Sequence, residues 1–383
     1  MADVLLGFDP GTSLTKIIYK LANKPEAKLL FMEPQVLELP EQSVRNFVQS
    51  RGEDGLSNLR SEDGAWIKEQ KRSENAYVVG FLAQMFQAEV HIQRLKYESA
   101  IYKIMAAVGS IVRKEYGNKS SYELSVNISA LLPYGEYSNR EQLKEQLRGS
   151  LKRFYFQDFK IRASLENFFC YPEGGGLAIA LQEDEGELWF RRKNIAILVF
   201  GYRNSSYLYF RKGVVNNGKT TDLGFYQILD KIIRDTSGQD RQSLAKKVFQ
   251  IGGEINADSN LVKSLIKSKK PENAEVESKQ ISQGIENARK EYWALVANWL
   301  RDCLSSEVDQ IVICGGTAKY LEKEIIEFFS EQPIYWGHDK QKEISEKFYT
   351  ELSTQFAQEE DKNVLAFRLV DVYCLSQELF ALE

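Results

Sequence analysis

The sequence contains the same short unit twice: an apolar strand, a turn with glycine and polar side chains, and a second β-rich strand. The first copy runs from Val4 to Leu21 and turns at Asp9-Pro10-Gly11-Thr12-Ser13. The second runs from Ile195 to Phe210 and turns at Gly201 to Ser206. Each copy opens with a nearly continuous apolar run, which is typical of a central strand covered on both faces. A chain with two such units is expected to form two related sheets.

Helix and strand patterns alternate along the rest of the chain. Apolar spacing of three and four residues predicts helices within 83–115, 222–236, 243–251, 278–304 and 364–382. Strand patterns lie at 122–128, 159–165 and 310–314. The stretch from Glu38 to Arg72 is polar and contains several glycines, which predicts an exposed insertion. Together these patterns predict an α/β protein with two domains, each built on a mixed sheet.

Composition excludes several classes of function. The chain has 383 residues and no apolar run long enough to cross a bilayer, so we expect a cytoplasmic protein without direct membrane binding. Its four cysteines are far apart and it has two histidines, which argues against zinc sites, disulfide frameworks and a histidine-based triad. A formal net charge of -4 argues against direct nucleic-acid binding.

The first turn combines residues suited to a phosphate group. Gly11 lets the backbone approach an anion closely, and Thr12 and Ser13 supply hydrogen-bond donors. Asp9 ends the strand, where a carboxylate can hold a magnesium ion through water. Lys16, in the return strand, is able to reach the same phosphates as a point charge. An ordinary glycine turn has the same appearance, so this segment alone leaves both interpretations open.

Three further segments are candidates for the same site. The turn that opens at Gly201 repeats the first one. Glu173 lies between a proline and three glycines, where a carboxylate could orient a water for in-line attack on a γ-phosphate. The strand that ends at Cys314-Gly315-Gly316-Thr317 opens a helix through a turn that lets a nucleoside lie against the backbone. Taken singly, a plain hairpin, a solvated glutamate and strand–helix packing are the alternatives.

In their order, these segments resemble the phosphate-1, connect-1, phosphate-2, connect-2 and adenosine motifs of the actin, sugar kinase and heat-shock chaperone ATPase superfamily. Within it, the chain is similar to the bacterial ParM/StbA group of actin-like proteins. The matching segments are Asp9 to Lys16, Pro172 to Ala180, Phe200 to Ser206, Gln280 to Val296 and Ile311 to Tyr320. The resemblance covers nearly the whole chain. It implies an actin-like fold, with two RNase H-like domains around a nucleotide cleft.

The resemblance also implies domain boundaries and roles. Domain I is expected at 1–171 plus about 335–383, with the exposed insertion near 40–72, and domain II at 172–334. ATP (or GTP) with Mg²⁺ is the implied cofactor, with Asp9 helping to hold the metal and Glu173 orienting the water. Gly315, Gly316 and Thr317 are implied to border the adenosine.

One departure from the family concerns the second phosphate hairpin. It usually opens with an aspartate before its glycine, whereas Val199 and Phe200 occupy that stretch here. Hydrolysis is therefore expected to be slow or differently organised. Arg203, through its charge, or Asn204, through hydrogen bonding, is the expected substitute.

The implied function is nucleotide-controlled assembly of the chain into a homopolymeric filament, by a head-to-tail interface that does not close into a ring. In the ParM-like group such filaments move plasmid DNA through a small adaptor protein, and a bacterial cytoskeletal filament linked to membrane by an adaptor would look the same in sequence. Residues 50–63 are predicted to contribute a subunit contact. A small-molecule kinase of the same superfamily and a nucleotide-binding scaffold with little turnover are the alternatives.

Overall fold

A computed structural model describes residues 2–50, 60–90, 92–355 and 359–382. The chain divides into two compact units. Unit 1 comprises residues 1–180 and 339–383, and unit 2 comprises residues 181–338. Unit 2 is therefore continuous in sequence, whereas unit 1 is built from both ends of the chain.

Unit 1 is organised around a nine-stranded mixed sheet in the order β3-β2-β1-β7-β9-β8-β5-β6-β4. The strands are β1 (Val4–Asp9), β2 (Thr15–Leu21), β3 (Ala27–Met32), β4 (Val36–Pro40), β5 (Trp66–Lys68), β6 (Asn75–Val79), β7 (Ser121–Leu132), β8 (Phe154–Phe156) and β9 (Phe159–Pro172). Strands β1, β2 and β3 are antiparallel neighbours, and β7 and β9 continue the sheet in parallel with β1.

Helices lie on both faces of this sheet. They are α1 (Glu41–Ser50), α2 (Phe81–Met85), α3 (Lys96–Tyr116), α4 (Arg140–Leu151), α13 (His338–Lys347), α14 (Tyr349–Gln355) and α15 (Glu359–Ala381), with a 3₁₀ helix at Tyr134–Asn139. Helix α3 shares a core with Leu6 and Phe8 of β1, and Leu379 of α15 packs against Leu5 on the other face. Strand β1 is therefore buried on both faces, as its apolar run predicts.

Unit 2 contains a five-stranded sheet in the order β12-β11-β10-β13-β14. Its strands are β10 (Asn194–Phe200), β11 (Ser205–Arg211), β12 (Val214–Thr221), β13 (Gln310–Cys314) and β14 (Ile334–Tyr335). Its helices are α5 (Gly175–Glu185, which begins in unit 1), α6 (Glu187–Phe190), α7 (Phe225–Asp235), α8 (Arg241–Ile251), α9 (Asn260–Lys263), α10 (Pro271–Cys303), α11 (Gly316–Tyr320) and α12 (Glu322–Phe328).

The two sheets share one five-strand plan. The order is β3-β2-β1-β7-β9 in unit 1 and β12-β11-β10-β13-β14 in unit 2. The first three strands of each order are antiparallel neighbours, and the last two are parallel to β1 or β10. The glycine turns join β1 to β2 and β10 to β11. The prediction of two related α/β sheets is therefore confirmed.

The polar stretch 40–72 contains more regular structure than its composition suggests. Helix α1 and strand β5 both fall within it, and Val44 and Trp66 share a small core with Val78 and Leu82. Residues 51–59, and with them most of the predicted subunit contact at 50–63, lie outside the described residues.

Two predicted helices differ from the structure. The helix predicted over 83–115 is two helices, α2 and α3, separated by turns. The helix predicted to open after Thr317 is interrupted at Leu321. Among the described residues, no helix combines the length and apolarity that spanning a bilayer requires.

Candidate functional site

The first glycine turn places a buried carboxylate beside a lysine. Asp9 and Lys16 are opposite each other across β1 and β2 and form an ion pair. Lys16 Nζ also donates to the carbonyl of Arg368, at 3.0 Å. Asp9 is 8% exposed, and its Oδ1 is buried without a hydrogen-bond partner. A buried oxygen of this kind is a candidate for a ligand or a metal-bound water, because burial without a partner is unfavourable.

The backbone of this turn has room for glycine alone at position 11. A Cβ on Gly11 would lie 2.3 Å from the carbonyl oxygen of Leu14. Thr12 is half-buried, and exposed Ser13 accepts a hydrogen bond from Arg368 Nη2 at 2.9 Å. The turn is thus closed tightly and flanked by two cationic side chains.

Charge at this turn keeps Asp9 ionised. Burial alone would raise the pKa of Asp9, but Lys16, Lys96 and Arg368 together outweigh burial and lower it. An ionised carboxylate with one free oxygen fits a magnesium ion, which binds proteins through one or two carboxylates and keeps several waters. Among the described residues there is no group of three or more histidine, cysteine or acidic side chains placed to hold a metal by themselves.

Glu173 lies directly after β9, in the same unit as Asp9. Its amide donates to the carbonyl of Leu132 at 2.8 Å, which fixes the backbone against the end of β7. Its carboxylate is 7% exposed and forms an ion pair with Lys96, at the start of helix α3. Lys96 thus connects the two acidic candidates, since it pairs with Glu173 and lowers the pKa of Asp9.

The glycine run after Glu173 is held by a third carboxylate. Asp371, on helix α15, accepts hydrogen bonds from the amides of Gly174 at 2.7 Å and Gly176 at 2.8 Å. Burial raises the pKa of Asp371 to about 7, although both amide bonds favour its ionised form. A Cβ on Gly176 would lie 1.9 Å from the carbonyl oxygen of Asp371, so the loop and helix are in direct backbone contact.

The second glycine turn, in unit 2, has four residues between its last paired residues, whereas the first has six. Phe200 and Ser205 are partners across β10 and β11, and the amide of Gly201 donates to the carbonyl of Asn204 at 2.9 Å. Asn204 is 3% exposed, and its Oδ1 is buried without a hydrogen-bond partner. Arg203 is buried as well. The second turn therefore also presents a buried, unpartnered oxygen, carried by an amide instead of a carboxylate.

The predicted adenosine turn lies against this second turn. Gly315 has a φ of +95°, and a Cβ there would lie 2.2 Å from the carbonyl oxygen of Phe200. Thr317 Oγ1 donates to the carbonyl of Gly201 at 2.8 Å. Gly316 begins the short helix α11. Gly201, Gly315, Gly316 and Thr317 thus form one cluster in unit 2.

The structure gathers the predicted residues into one cluster per unit. Asp9, Gly11, Thr12, Ser13, Lys16 and Glu173 belong to unit 1, and Gly201, Arg203, Asn204, Gly315, Gly316 and Thr317 to unit 2. Contact of Gly11 and Gly201 with the same nucleotide stays a prediction.

Sequence reasoning missed three charged residues of the unit 1 cluster: Lys96, Arg368 and Asp371. A signal for Asp371 was present, because it is the one acid in the apolar run from Val364 to Leu375. A buried carboxylate in such a helix needs donors, and here the two glycine amides supply them. Arg368 carried the same signal, as the one basic residue of that run, whereas Lys96 carried none.

No known protein family and no curated protein matches this sequence. Solved structures do match in fold. The actin-like protein Alp7A superimposes with a TM-score of 0.62 at 12% identity, over 98% of this chain and 96% of that one. A ParM from a 15-stranded Clostridium botulinum filament gives 0.60 at 17% identity, over 88% and 94%. An archaeal actin homolog in complex with ADP gives 0.56 at 13% identity, over 95% and 98%.

Proposed function

We propose that this chain, which has an actin-like fold of the ParM type, binds ATP with magnesium, hydrolyses it and polymerises under the control of that cycle. One observation carries the proposal. The same five-strand plan occurs twice, and in each copy the glycine turn presents a buried oxygen without a partner: Oδ1 of Asp9 and Oδ1 of Asn204. Duplicated turns with unsatisfied polar atoms are explained by a polar ligand that supplies the missing partners.

In unit 1, the first turn serves the phosphates. Gly11 allows close approach, Thr12 and Ser13 donate hydrogen bonds, and Lys16 contributes positive charge. Asp9 holds magnesium through water, with its Oδ1 as the available acceptor. The ion, when bound, neutralises charge on the phosphates during transfer.

Glu173 orients the attacking water in this proposal. Phosphoryl transfer to water needs positioning more than covalent chemistry, and a carboxylate fixed at a strand end supplies it. Lys96 forms an ion pair with that carboxylate. Lys96 is therefore a positioning residue for Glu173. Its positive charge would also attract a γ-phosphate that approaches Glu173.

In unit 2, the second turn and the adenosine turn serve the rest of the nucleotide. Asn204 and Arg203 replace the aspartate that the family usually has, and Gly315, Gly316 and Thr317 border the adenosine. Because an amide does not hold a magnesium ion as strongly as a carboxylate, Asp9 carries the metal alone, and turnover is slow.

Polymerisation is proposed from the kind of protein that shares this fold. A neighbour with a TM-score of 0.60 is itself a filament subunit, and an open head-to-tail interface turns such a subunit into a polymer. The filament serves plasmid segregation, or a cytoskeletal role, through a small adaptor.

A nucleotide-binding scaffold with little turnover is the second candidate. Two observations favour it. Val199 and Phe200 are buried where the family has an acid, and Glu173 is engaged by Lys96. As a scaffold, the chain would bind nucleotide and assemble into a polymer without a cycle of hydrolysis.

One experiment separates these candidates. Purified protein is incubated with Mg²⁺ and ATP, GTP or no nucleotide, and phosphate release is measured alongside pelleting and electron microscopy. Filaments with phosphate release support the ATPase, and filaments without release support the scaffold. Absence of both nucleotide binding and polymer contradicts the proposal, and phosphate transfer to an added small molecule identifies a kinase.

A further inference from the structure

Unit 1 contains a cavity of about 410 Å³ beside the first glycine turn. Residues within 34–38, 89–90 and 94–103 form most of its lining, and Thr12 and Tyr77 complete it. All of these residues belong to unit 1. Its volume is in the range of small-molecule sites, which are mostly apolar with a few buried polar groups.

Two buried polar side chains line this cavity without partners. Lys103, on helix α3, is 2% exposed and makes no hydrogen bond or ion pair with the described residues. Gln35 is 8% exposed, and its Oε1 is buried without a partner. Burial lowers the pKa of Lys103 to about 7, with a further contribution from Lys96, while Asp9 opposes the shift. Asp9 offsets this charge only from a distance, because its direct ion pair is with Lys16.

The walls of the cavity are apolar and aromatic. Tyr77 and Tyr102 are stacked, with ring centroids 3.8 Å apart, and Val36 and Leu37 lie beside them in the lining. Flat apolar groups pack well against such rings. The cavity thus offers an apolar wall and a cationic side chain to one occupant.

The exposed charges at the opening of the cavity do not cancel the attraction of Lys103 for an anion. The acidic lining residues Glu38, Glu89 and Glu98 are exposed, as is Arg94. Exposed charges are screened by water and salt, whereas a buried ammonium acts through a medium of lower dielectric. Lys96 is already paired with Glu173, so Lys103 is the cation that an anionic ligand would neutralise.

We propose that this cavity binds a small organic anion, whose flat apolar body packs against Tyr77 and Tyr102 and whose carboxylate or phosphate pairs with Lys103. Gln35 accepts a hydrogen bond from the ligand through its free Oε1. The site adjoins the first glycine turn through Thr12, but Lys103 and Gln35 have no role in the proposed nucleotide site. Occupancy is tested in the absence of nucleotide, so labelling of Lys103 and release of phosphate from ATP are separate readouts, and either can fail without the other.

The experiment uses pyridoxal 5′-phosphate as the probe, because it combines a flat ring, a phosphate and an aldehyde. The Lys103 amine adds to the aldehyde, water leaves, and the imine formed is reduced by added borohydride to a stable secondary amine. Peptide mass spectrometry of the full chain locates the label. We expect saturable labelling at Lys103 that is at least about tenfold faster than at exposed Lys152, because a larger fraction of the buried amine is neutral.

Matched variants and competitors complete the test. Lys103→Met should abolish the saturable fraction, Ser99→Trp should block it by filling the cavity, and Lys152→Met should leave it unchanged. Protection by benzoate assigns a carboxylate ligand, and protection by phenyl phosphate assigns a phosphate ligand. Labelling spread evenly over surface lysines, preferential labelling of Lys16, or protection by neither competitor overturns the proposal.

Discussion

Two lysines on one face of helix α3 experience opposite environments. Lys96 and Lys103 are seven residues apart and both are buried, but Lys96 has an ion-pair partner in Glu173 and Lys103 has none among the described residues. The same substitution, lysine to methionine, should therefore change the free energy of unfolding in opposite directions at the two positions.

Lys96→Met leaves Glu173 buried without its partner and should lower the free energy of unfolding by about 3 to 5 kcal/mol. Lys103→Met removes an unpaired buried amine and should raise the free energy of unfolding by roughly 2 to 4 kcal/mol at pH 7.

The effect of Lys103 on stability should depend on pH. Because the folded-state pKa of Lys103 is lowered to about 7 from 10.5, the folded protein binds fewer protons than the unfolded chain between these two pH values. Wild-type stability should therefore rise with pH across that window, and the gain from Lys103→Met should shrink. Urea unfolding at pH 7 and pH 9.5 measures this; equal effects of both variants would contradict it.

Glu173 should be needed for ATP hydrolysis but not for nucleotide binding. Glu173→Gln keeps a hydrogen-bond acceptor for Lys96 but loses the charge that orients water, so nucleotide binding should persist while phosphate release falls roughly a hundredfold. Filaments should then last longer after ATP addition. Glu166→Gln, at an exposed position of β9, is the matched control. Unchanged phosphate release in Glu173→Gln removes this residue from the mechanism.

Among individual residues, sequence analysis identified those of the turns but not the charged side chains that connect them. Asp9, Gly11 and Glu173 follow strands and stand out through their neighbouring glycines. Lys96 and Asp371 come from distant segments, and only folding brings them to the same place. Lys103 did carry a signal, since it interrupts the apolar face of α3 between Ala100 and Ala107.

The start of helix α5 packs directly against the backbone of helix α15. Gly176→Ala would bring a Cβ within 1.9 Å of the carbonyl oxygen of Asp371, which a rotamer change cannot relieve. It should destabilise unit 1 by about 2 to 3 kcal/mol. Gly149→Ala is the control, because a Cβ there meets no atom within 4 Å. In helix α4 it should stabilise by about 0.5 to 1 kcal/mol. Thermal unfolding compares the two; a neutral Gly176→Ala would contradict the packing.

Most elements with strong apolar patterns were predicted, but β3 was not, although its last four residues are apolar and buried. Strands β5 and β12 were missed because they lack the apolar alternation on which strand prediction depends. Strand β5 is three residues long and includes Lys68, whose buried ammonium pairs with Glu41 at 2.5 Å. Strand β12 is largely exposed and mostly polar.

For the whole molecule, nucleotide binding should appear as added stability. A ligand that binds only the folded chain, present at a hundred times its dissociation constant, adds about 2.7 kcal/mol. ATP with Mg²⁺ should therefore raise the unfolding temperature of the wild type, and Asp9→Ala should remove most of that shift. Differential scanning calorimetry with and without Mg²⁺ measures it, with Glu166→Ala as control. An equal shift in Asp9→Ala excludes Asp9 from the site.

The prediction of two related sheets was based on a unit that occurs twice in the sequence. Two copies of one strand–turn–strand unit indicated two related sheets, and the shared five-strand plan confirms them. The actin-like fold inferred from motif order is likewise confirmed by the matching structures. Sheet order beyond the first hairpins depends on pairings between distant segments, such as β1 with β7, and could not be predicted from local patterns.

The divided course of unit 1 along the chain has a consequence for biosynthesis. Strand β1 is translated before unit 2, but helix α15, which covers one of its faces through Leu379, is translated after unit 2. Unit 2 is therefore able to complete its sheet before β1 is covered. The nascent chain carries an uncovered apolar face while unit 2 is translated, and this face is where chaperone binding or premature aggregation should concentrate.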